Sequence, residues 1–488
     1  MSIQRRIRRW LAPRLFAPLV LAGAPAALSP AAATQAAFPV ERNQLVATFC
    51  PNLPSGNAVI LIDPPIGAPL GANWQLAPFF SNETGLPAER WTQTNLGCVF
   101  GIAVDPSPAI FVAASSSYTN LGVGTFGPGG GGGVYRLDGC TGDIDPWMVT
   151  GTGAVGTNTL PNPAPPGVTP PGLGDICYDD VSQQFFVSDF ADGRIYRVKN
   201  IGNQGIVQSV HDPFLPFPYA GSPLFAPLGE RVWALHVTRI QRWQRGSGPA
   251  MRRVLLFSVW LRDQTRTSTA WPAAWPPQPL GFGPFGVNNA LFAWELDPQG
   301  VPVASGPTLY SVLSHLVTTS GTDLGYSNPV ADITSDAGRI YTAERVMPAD
   351  YGTLGIGHRA RLMSFEIKPK VVLLTTFPNP FAPPPLRYRV GDSILAVDYP
   401  TGWNSCGGVT LANYNSLAHH PVVWGSGDAL LGYGPGNYVY GLQGIPWGGN
   451  DTASPPSSTT CIIDLDHDIT AADKTRPGDV EVIRWRCP

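Results

Sequence analysis

The chain has 488 residues, and its 31 Lys and Arg against 34 Asp and Glu give a formal net charge of -3. A nucleic-acid-binding face needs clustered Lys and Arg, so this even charge pattern excludes nucleic acid as an expected partner. Only 13% of the residues are charged, while 55 Gly and 52 Pro accompany 43% hydrophobic residues. We therefore expect a β-rich protein with an ample core and many turns.

The first 36 residues predict an export signal. Four arginines between positions 5 and 9 precede an apolar stretch over 11–28, and small residues suited to signal peptidase follow at 31–33. Three prolines and Arg14 interrupt the apolar stretch, so no stable membrane span is expected. The prediction is an exported protein (periplasmic, secreted or cell-surface) with a signal peptide over 1–36 and one domain over 37–488.

A sequence pattern typical of short β-strands recurs at wide intervals along the chain. Its three clearest copies begin at Gly101–Asp105, Gly174–Asp179 and Ala331–Asp336, and each is followed by two more strands. A unit of a few strands cannot bury its own faces and becomes stable when it is stacked on copies of itself. Radial stacking of such sheets predicts an all-β fold, a β-propeller with Pro/Gly-rich loop insertions.

Less regular strands complete the predicted ring. One further blade is expected from Arg231–Val237, Val254–Leu261 and Leu291–Asp297, and another from Gly407–Ala412 and Tyr438–Leu442. The last blade is expected to combine Val480–Arg484 with Ala58–Ile62, because a blade shared between the termini removes exposed strand edges. The sequence favours six blades and leaves five or seven open. One helix is expected around Thr308–Val317.

Two resemblances carry expectations about the class of protein. Phe185–Val198 resembles the NHL repeat, in which a strand ends in an acidic residue, turns and resumes, and Gly101–Asp105 resembles the opening of such a repeat. This implies propeller architecture and no particular activity. Gly425–Ala429, Tyr438–Pro446 and Asp473–Glu481 resemble segments of large exported bacterial surface proteins, which implies a surface or binding role.

The favoured function is a non-catalytic, exported binding or structural module with a protein or glycan ligand. An aromatic insert suits sugar faces, which stack on flat rings; its rings are Trp271, Trp275, Phe282 and Phe285. Packing of this insert against the propeller is an equally favoured alternative. The alternative is a calcium-dependent lactonase or esterase, since the fold resembles that of the six-bladed regucalcin-like enzymes. Whether the chain is an enzyme stays open at this point.

The alternative, a calcium-dependent lactonase or esterase, requires carboxylate side chains that face the central channel of the propeller. In the regucalcin-like family, Asn, Asp or Glu at the starts of inner strands hold calcium, and that position falls here on Phe100, Gly174 and Ala331, which offer no side-chain oxygen. Asp175 and Asp332 come one place later, where the favoured interpretation is that their carboxylates accept backbone N–H groups at the strand entry. The alternative is that they face the channel near a bulge and bind an ion. A structure in which Asp175, Asp332 and another acidic side chain meet around one ion would support the enzyme hypothesis.

The C-terminal region offers a second possible metal site and a disulfide. Asp464, Asp466 and Asp468 alternate as calcium ligands do, although the glycine and glutamate of an EF-hand loop are missing, and a solvated acidic turn is the favoured interpretation. Seven cysteines follow the predicted signal, where disulfides persist. We expect Cys461 to pair with Cys487, and Cys177 to be a buried free thiol.

Overall fold

The computed structural model describes residues 42–50, 56–62, 79–80, 91–118, 126–148, 171–213, 231–244, 248–260, 289–313, 315–316, 327–336, 338–347, 360–366, 404–413, 421–428, 430, 439–446, 461–465 and 477–487. The predicted signal peptide and the aromatic insert lie outside the described residues. Among those that are described, no helix has the length and apolar character needed to cross a membrane.

Six antiparallel sheets form the blades of a propeller. Blade 1 joins both ends of the chain and contains, from the inside outward, β23 (Pro477–Val482), β1 (Leu45–Phe49), β2 (Val59–Ile62) and β3 (Phe79–Phe80). Blade 2 follows a single helical turn, α1 (Gln93–Leu96), and contains β4 (Val99–Val104), β5 (Ala109–Ala114), β6 (Val134–Asp138) and β7 (Ile144–Met148). Blade 3 contains β8 (Leu173–Asp179), β9 (Gln184–Asp189), β10 (Ile195–Ile201) and β11 (Gln204–His211).

The remaining blades follow the same order from the innermost strand outward. Blade 4 contains β12 (Arg231–Gln244), β13 (Gly248–Trp260), β14 (Ala290–Glu295) and β15 (Thr308–Val312). Blade 5 contains, within the described ranges, β16 (Val330–Ser335), β17 (Arg339–Glu344) and β18 (Leu362–Glu366). Blade 6 contains β19 (Ser405–Asn413), β20 (Pro421–Gly427), β21 (Gly441–Pro446) and β22 (Cys461–Asp464).

The innermost strands close a ring around a central channel. Each of β4, β8, β12, β16 and β19 contacts the innermost strand of the next blade, and β23 contacts both β19 and β4. The six-bladed propeller expected from the sequence is thereby confirmed, as is the shared blade of the two termini: β1 pairs with β23 on one side and with β2 on the other. The pairing of β1 with β23 joins the strands near both ends of the chain in one sheet and covers an edge of each.

The core consists of separate apolar layers between neighbouring blades. One layer holds Val46, Leu61 and Ile102 between blades 1 and 2, and another holds Phe111, Trp147 and Phe185 between blades 2 and 3. Four similar layers fill the other interfaces. Strand alternation explains this arrangement, because successive side chains point to opposite faces of a blade and both faces are covered.

The two disulfides found among the described residues join blade 1 to blade 2. Cys50, just after β1, pairs with Cys98, just before β4, and Cys140 pairs with Cys487. The expected Cys461–Cys487 bond is therefore wrong. Cys461 begins β22, the outermost strand of blade 6, whereas the chain leaves the innermost strand β23 and runs over blade 2. Cys177 and Cys406 are buried free thiols, so the expectation for Cys177 is confirmed.

The helix expected around Thr308–Val317 is also wrong. Residues Thr308–Val312 form β15, which pairs with β14 through partners such as Phe292 and Leu309. The segment contains Thr, Tyr and Val, which favour a pleated surface, and the free edge of β14 supplies hydrogen-bonding partners that an isolated helical turn would lack.

Candidate functional site at the channel axis

The innermost strand of every blade changes register at one equivalent point. In blade 3 the pairing with β9 shifts between Leu173 and Ile176, and corresponding shifts occur in the other five blades. An extra residue at such a bulge bends the strand and re-aims a side chain. The residues at this point, in ring order, are Gly101, Asp175, Ala234, Asp332, Gly408 and Asp479.

Aspartates and small residues therefore alternate around the channel. Asp175, Asp332 and Asp479 lie on blades 3, 5 and 1, and each offers a carboxylate oxygen within 4.8 Å of those of the other two. All three side chains are buried. We call these three residues the Asp triad. Among the described residues, it is the one group of three or more His, Cys, Asp or Glu side chains placed closely enough to share an ion.

Each member of the Asp triad also connects its blade to the next one. One oxygen of each carboxylate accepts the N–H of a residue on the following innermost strand: Leu235 N to Asp175 Oδ2 (2.8 Å), Val409 N to Asp332 Oδ2 (2.6 Å) and Ile102 N to Asp479 Oδ2 (2.8 Å). The second oxygens of Asp175 and Asp479 accept the N–H of the next residue in the chain. The backbone thus fixes the direction of every carboxylate.

The small residues between the aspartates leave room for the carboxylates. A Cβ at Gly101 would come within 2.6 Å of the Asp175 Cα and 2.8 Å of its Oδ1, and a Cβ at Gly408 would lie 2.7 Å from the Asp479 Cα. Contacts this short are not tolerated without a backbone shift. Gly101 and Gly408 are therefore needed for the neighbouring aspartates to approach the axis.

Burial raises the pKa of all three triad carboxyls. For Asp332, burial dominates and raises the pKa to about 7, although hydrogen bonds from the Asp479 carboxyl and from Val409 N–H oppose the rise. For Asp175 and Asp479, burial and then the neighbouring triad carboxyls raise the pKa well above the ordinary value of 3.8. Without a cation, the triad therefore retains protons near neutral pH, because like charges this close cannot all ionise.

Hydroxyl groups on the strand next to the innermost one stabilise the register shifts through hydrogen bonds. Ser188 Oγ accepts the Asp175 N–H at 2.9 Å and donates to the Trp233 carbonyl of the next blade at 2.5 Å. Thr48 and Ser258 make the same pair of bonds in blades 1 and 4. Each hydroxyl satisfies one buried N–H and one buried C=O that the ladder leaves free.

Replacing Ser188 with alanine should destabilise the propeller. The Asp175 N–H and the Trp233 carbonyl would both lose a buried partner, and we expect the free energy of unfolding to fall by about 1–3 kcal/mol. Denaturant unfolding of Ser188→Ala measures this loss. The exposed Gln208→Ala on β11 is the control and should change stability by less than about 0.5 kcal/mol; equal losses in the two variants would contradict the role given to Ser188.

Aromatic rings close the channel next to the Asp triad. Phe100 and Trp233 precede the triad layer by one residue on blades 2 and 4, and both are fully buried. Their ring centroids are 5.4 Å apart, so the rings meet across the innermost strand of blade 3, where Gly174 offers no side chain. Arg345 lies over the Phe100 and Tyr118 rings at 5.3 and 4.6 Å. We call this the closed end.

The channel is polar and more exposed at its other end. Beyond the triad, along the innermost strands, lie the half-buried His236, Thr238, Ser335 and Glu481. Glu481 accepts a hydrogen bond from Thr410 Oγ1 at 2.5 Å, and burial raises the pKa of its carboxyl. We call this end the mouth. Among the described residues, the mouth is therefore the more exposed end of the channel, and the closed end is lined by buried rings.

The structure brings together two of the residues singled out in the sequence and adds a third. Asp175 and Asp332 meet at the axis, and Asp479 joins them. The signal for Asp479 is a short shared phrase: Gly478-Asp479-Val480 repeats the pattern of Gly174-Asp175-Ile176 and Ala331-Asp332-Ile333, a small residue, Asp and a β-branched residue. Asp466 and Asp468 lie outside the described residues, and Asp464 ends the outermost strand of blade 6, away from the channel.

Comparison with known proteins supplies structural likeness alone. No protein-family profile and no curated protein matches the sequence, so the resemblance to NHL repeats stays a prediction. The periplasmic gluconolactonase of Pseudomonas aeruginosa aligns over 91% of this chain and 100% of its own, at 11% identity and a TM-score of 0.39. A protein from Lactobacillus plantarum aligns over 91% and 100% respectively, at 11% identity and a TM-score of 0.35. The strand order of this chain defines its fold, and these low scores carry no inference about its chemistry.

Proposed function

We propose that this chain is an exported binding and structural module whose ring is held together by a divalent cation, calcium in the first instance, bound in the Asp triad. The convergence of three buried carboxylates within 4.8 Å carries the proposal. Two oxygens at that separation can lie on opposite sides of an ion with Ca–O bonds of about 2.3–2.6 Å. Hard carboxylate oxygens are the donors that calcium prefers.

The residues around the triad support the same conclusion. Gly101 and Gly408 keep side chains out of the space beside the carboxylates, and the backbone N–H bonds hold each carboxylate in one orientation. Water molecules entering from the mouth would complete the coordination shell. An ion there would connect blades 1, 3 and 5 directly, and the three interblade N–H bonds would extend its effect to all six blades.

Calcium should raise the stability of the protein, because a ligand that binds only the folded state stabilises it by mass action. Free calcium at about 100 times its dissociation constant should add about 2.7 kcal/mol to the free energy of unfolding. Unfolding with and without calcium measures this gain, and Asp479→Asn should lose it.

The control for the calcium experiment is Asp105→Asn. Asp105 is also a buried carboxylate at the end of an innermost strand, but it bonds to its own turn through Ser107 N and Oγ. The calcium response of this variant should match that of the unaltered protein. An unaltered protein that calcium does not stabilise, or an Asp479→Asn variant that responds fully, would contradict the proposal.

The second candidate function is calcium-dependent hydrolysis of a lactone or ester at the mouth. The observation in its favour is that Asp175 and Asp332 converge with another acid at the axis, next to the buried Phe100 and Trp233 rings of the closed end. A bound cation there would polarise a carbonyl oxygen. A screen of lactones and esters tests this candidate: hydrolysis that requires calcium and disappears in Asp332→Asn supports it, and the absence of calcium-dependent turnover eliminates it.

A further inference from the structure

A serine and a histidine from neighbouring blades meet at the mouth of the channel. His236 Nε2 on β12 lies 2.9 Å from Ser335 Oγ, the hydroxyl of the last residue of β16. Thr238 Oγ1, on the same strand as His236, lies 2.8 Å from the same Ser335 oxygen. All three side chains are half-buried, so solvent reaches them. A nucleophile needs a base within this hydrogen-bonding distance, and the contact satisfies that requirement.

We infer that Ser335 is a nucleophile activated by His236, and that its substrates are carboxylic esters with good leaving groups. In the tautomer that carries its proton on Nδ1, His236 accepts the Ser335 proton through Nε2 while Thr238 donates to Ser335 Oγ. Thr238 then orients a lone pair of the attacking oxygen. The inference goes beyond the proposed function and does not require the cation.

The reaction balances without any further reactant. Ser335 Oγ forms a bond to the carbonyl carbon of the ester, the bond from that carbon to the alkoxy oxygen breaks, and the Oγ proton passes through His236 Nε2 to the departing alcohol. Water then attacks the acyl group on Ser335, His236 accepts the water proton, and the serine hydroxyl is restored as the acid leaves. No oxidant or reductant takes part.

The surroundings of His236 explain the choice of substrate class. Burial, and then the charge of Arg484, lower the pKa of His236 to about 4, so the imidazole is neutral and free to accept a proton at neutral pH. A weak base transfers protons with little driving force, so efficient turnover needs a leaving group that departs easily. Aryl and other activated esters meet this condition, whereas amides do not.

A second serine–histidine contact in the chain shows why location and partners matter. Ser209 Oγ lies 2.8 Å from His211 Nε2, but both residues are on β11, the outermost strand of blade 3. Ser209 also accepts a hydrogen bond from Arg197 Nε at 3.0 Å, and the His211 ring packs edge-on against Trp294. Ser209 and His211 thus lie on the outer edge of blade 3, away from the channel mouth where a substrate would bind. Ser209 is therefore a matched residue that should not react.

A fluorophosphonate probe tests the inference on the full chain in calcium-free buffer. Ser335 Oγ should displace fluoride from phosphorus, and intact mass with peptide mapping should show one adduct, on Ser335. Ser335→Ala should give no adduct, His236→Gln should react at least about 100-fold more slowly, and Ser209→Ala should react at the unaltered rate. Circular dichroism verifies that each variant is folded, and Thr238→Val, a smaller change, should slow labelling while Ser335 stays the labelled residue.

The outcomes separate this inference from the cation proposal. No adduct, an adduct elsewhere, or an undiminished rate in His236→Gln would overturn the role of Ser335. Should any variant fail to fold, the unaltered protein still decides the matter through the mapped site and through a burst of phenol release from an activated aryl ester. Labelling that proceeds without calcium supports the inference whether or not the Asp triad binds an ion.

Discussion

Arg345→Met should lower the free energy of unfolding by at least about 3 kcal/mol. Arg345 follows β17 in blade 5, is 2% exposed and lies at the closed end of the channel. Its guanidinium donates to main-chain carbonyls of three other blades: Ser117 and Tyr118 of blade 2, Cys406 of blade 6 and Pro477 of blade 1. Methionine would fill much of the volume but leave these buried carbonyls without donors.

The control for Arg345 is an arginine in a different environment. Arg252 pairs with Glu295 at 3.2 Å, and both side chains remain partly exposed at 33% and 25%. Arg252→Met should therefore cost less than about 1 kcal/mol. Denaturant unfolding of both variants gives the comparison. An Arg345→Met protein as stable as Arg252→Met would show that the closed end does not depend on the guanidinium.

Without a cation, the Asp triad should make stability fall as pH rises from about 4 to about 7. Burial raises the pKa of Asp332 to about 7 in the folded state, whereas the unfolded value is near 3.8. The folded protein therefore binds more protons in this window, and its stability is greatest below the unfolded pKa. The slope is about 1.4 kcal/mol per pH unit for one proton, or about 4 kcal/mol across the window.

Other buried groups also change protonation between pH 4 and 7, so the effect of Asp332 has to be measured as a difference in stability between two proteins. His211 and His236 have lowered pKa values, mainly through burial, and histidines of this kind make stability rise with pH below about 6.5, which opposes the triad. The pH dependence of Asp332→Asn, subtracted from that of the unaltered protein in calcium-free buffer, isolates the contribution of Asp332. The unaltered protein should lose more stability between pH 4 and 7. Saturating calcium should remove this excess loss, because the cation neutralises the ionised carboxylates.

The decisive quantity is the free energy of unfolding of the unaltered protein minus that of Asp332→Asn. If this difference stays constant or rises between pH 4 and 7, Asp332 ionises as easily in the folded state as in the unfolded state. That result would also remove the main electrostatic reason for a cation at the axis. A difference that persists unchanged in saturating calcium would show that protons, and not a metal, neutralise the triad.

The repeated strand phrases were sufficient to predict the blades, because strand alternation and turn residues are local properties of the sequence. The units beginning at Gly101, Gly174 and Ala331 became blades 2, 3 and 5, and the strands near the two termini meet in blade 1. Thr308–Val312 was mistaken for part of a helix because its strand character depends on pairing with β14. That pairing is a tertiary contact, and it reinforces the preference of Thr, Tyr and Val for a pleated surface.

The candidate site was only partly predictable. Asp175 and Asp332 were visible because each follows a small residue at the start of a recognisable strand, whereas the phrase around Asp479 comes at the end of the chain and joins the others only when the ring closes. Arg345 binds main-chain carbonyls. Every residue carries such a carbonyl, so no sequence pattern identifies the partners of Arg345. The Cys140–Cys487 bond likewise depends on the path that the chain takes after β23.

The metal content of the purified protein tests the central claim most directly. After equilibration with calcium and transfer to metal-free buffer, elemental analysis should find one calcium per chain in the unaltered protein and none in Asp332→Asn. Asp105→Asn should retain the ion. An unaltered protein that retains no metal, or an Asp332→Asn variant that retains as much, would contradict a cation site in the Asp triad.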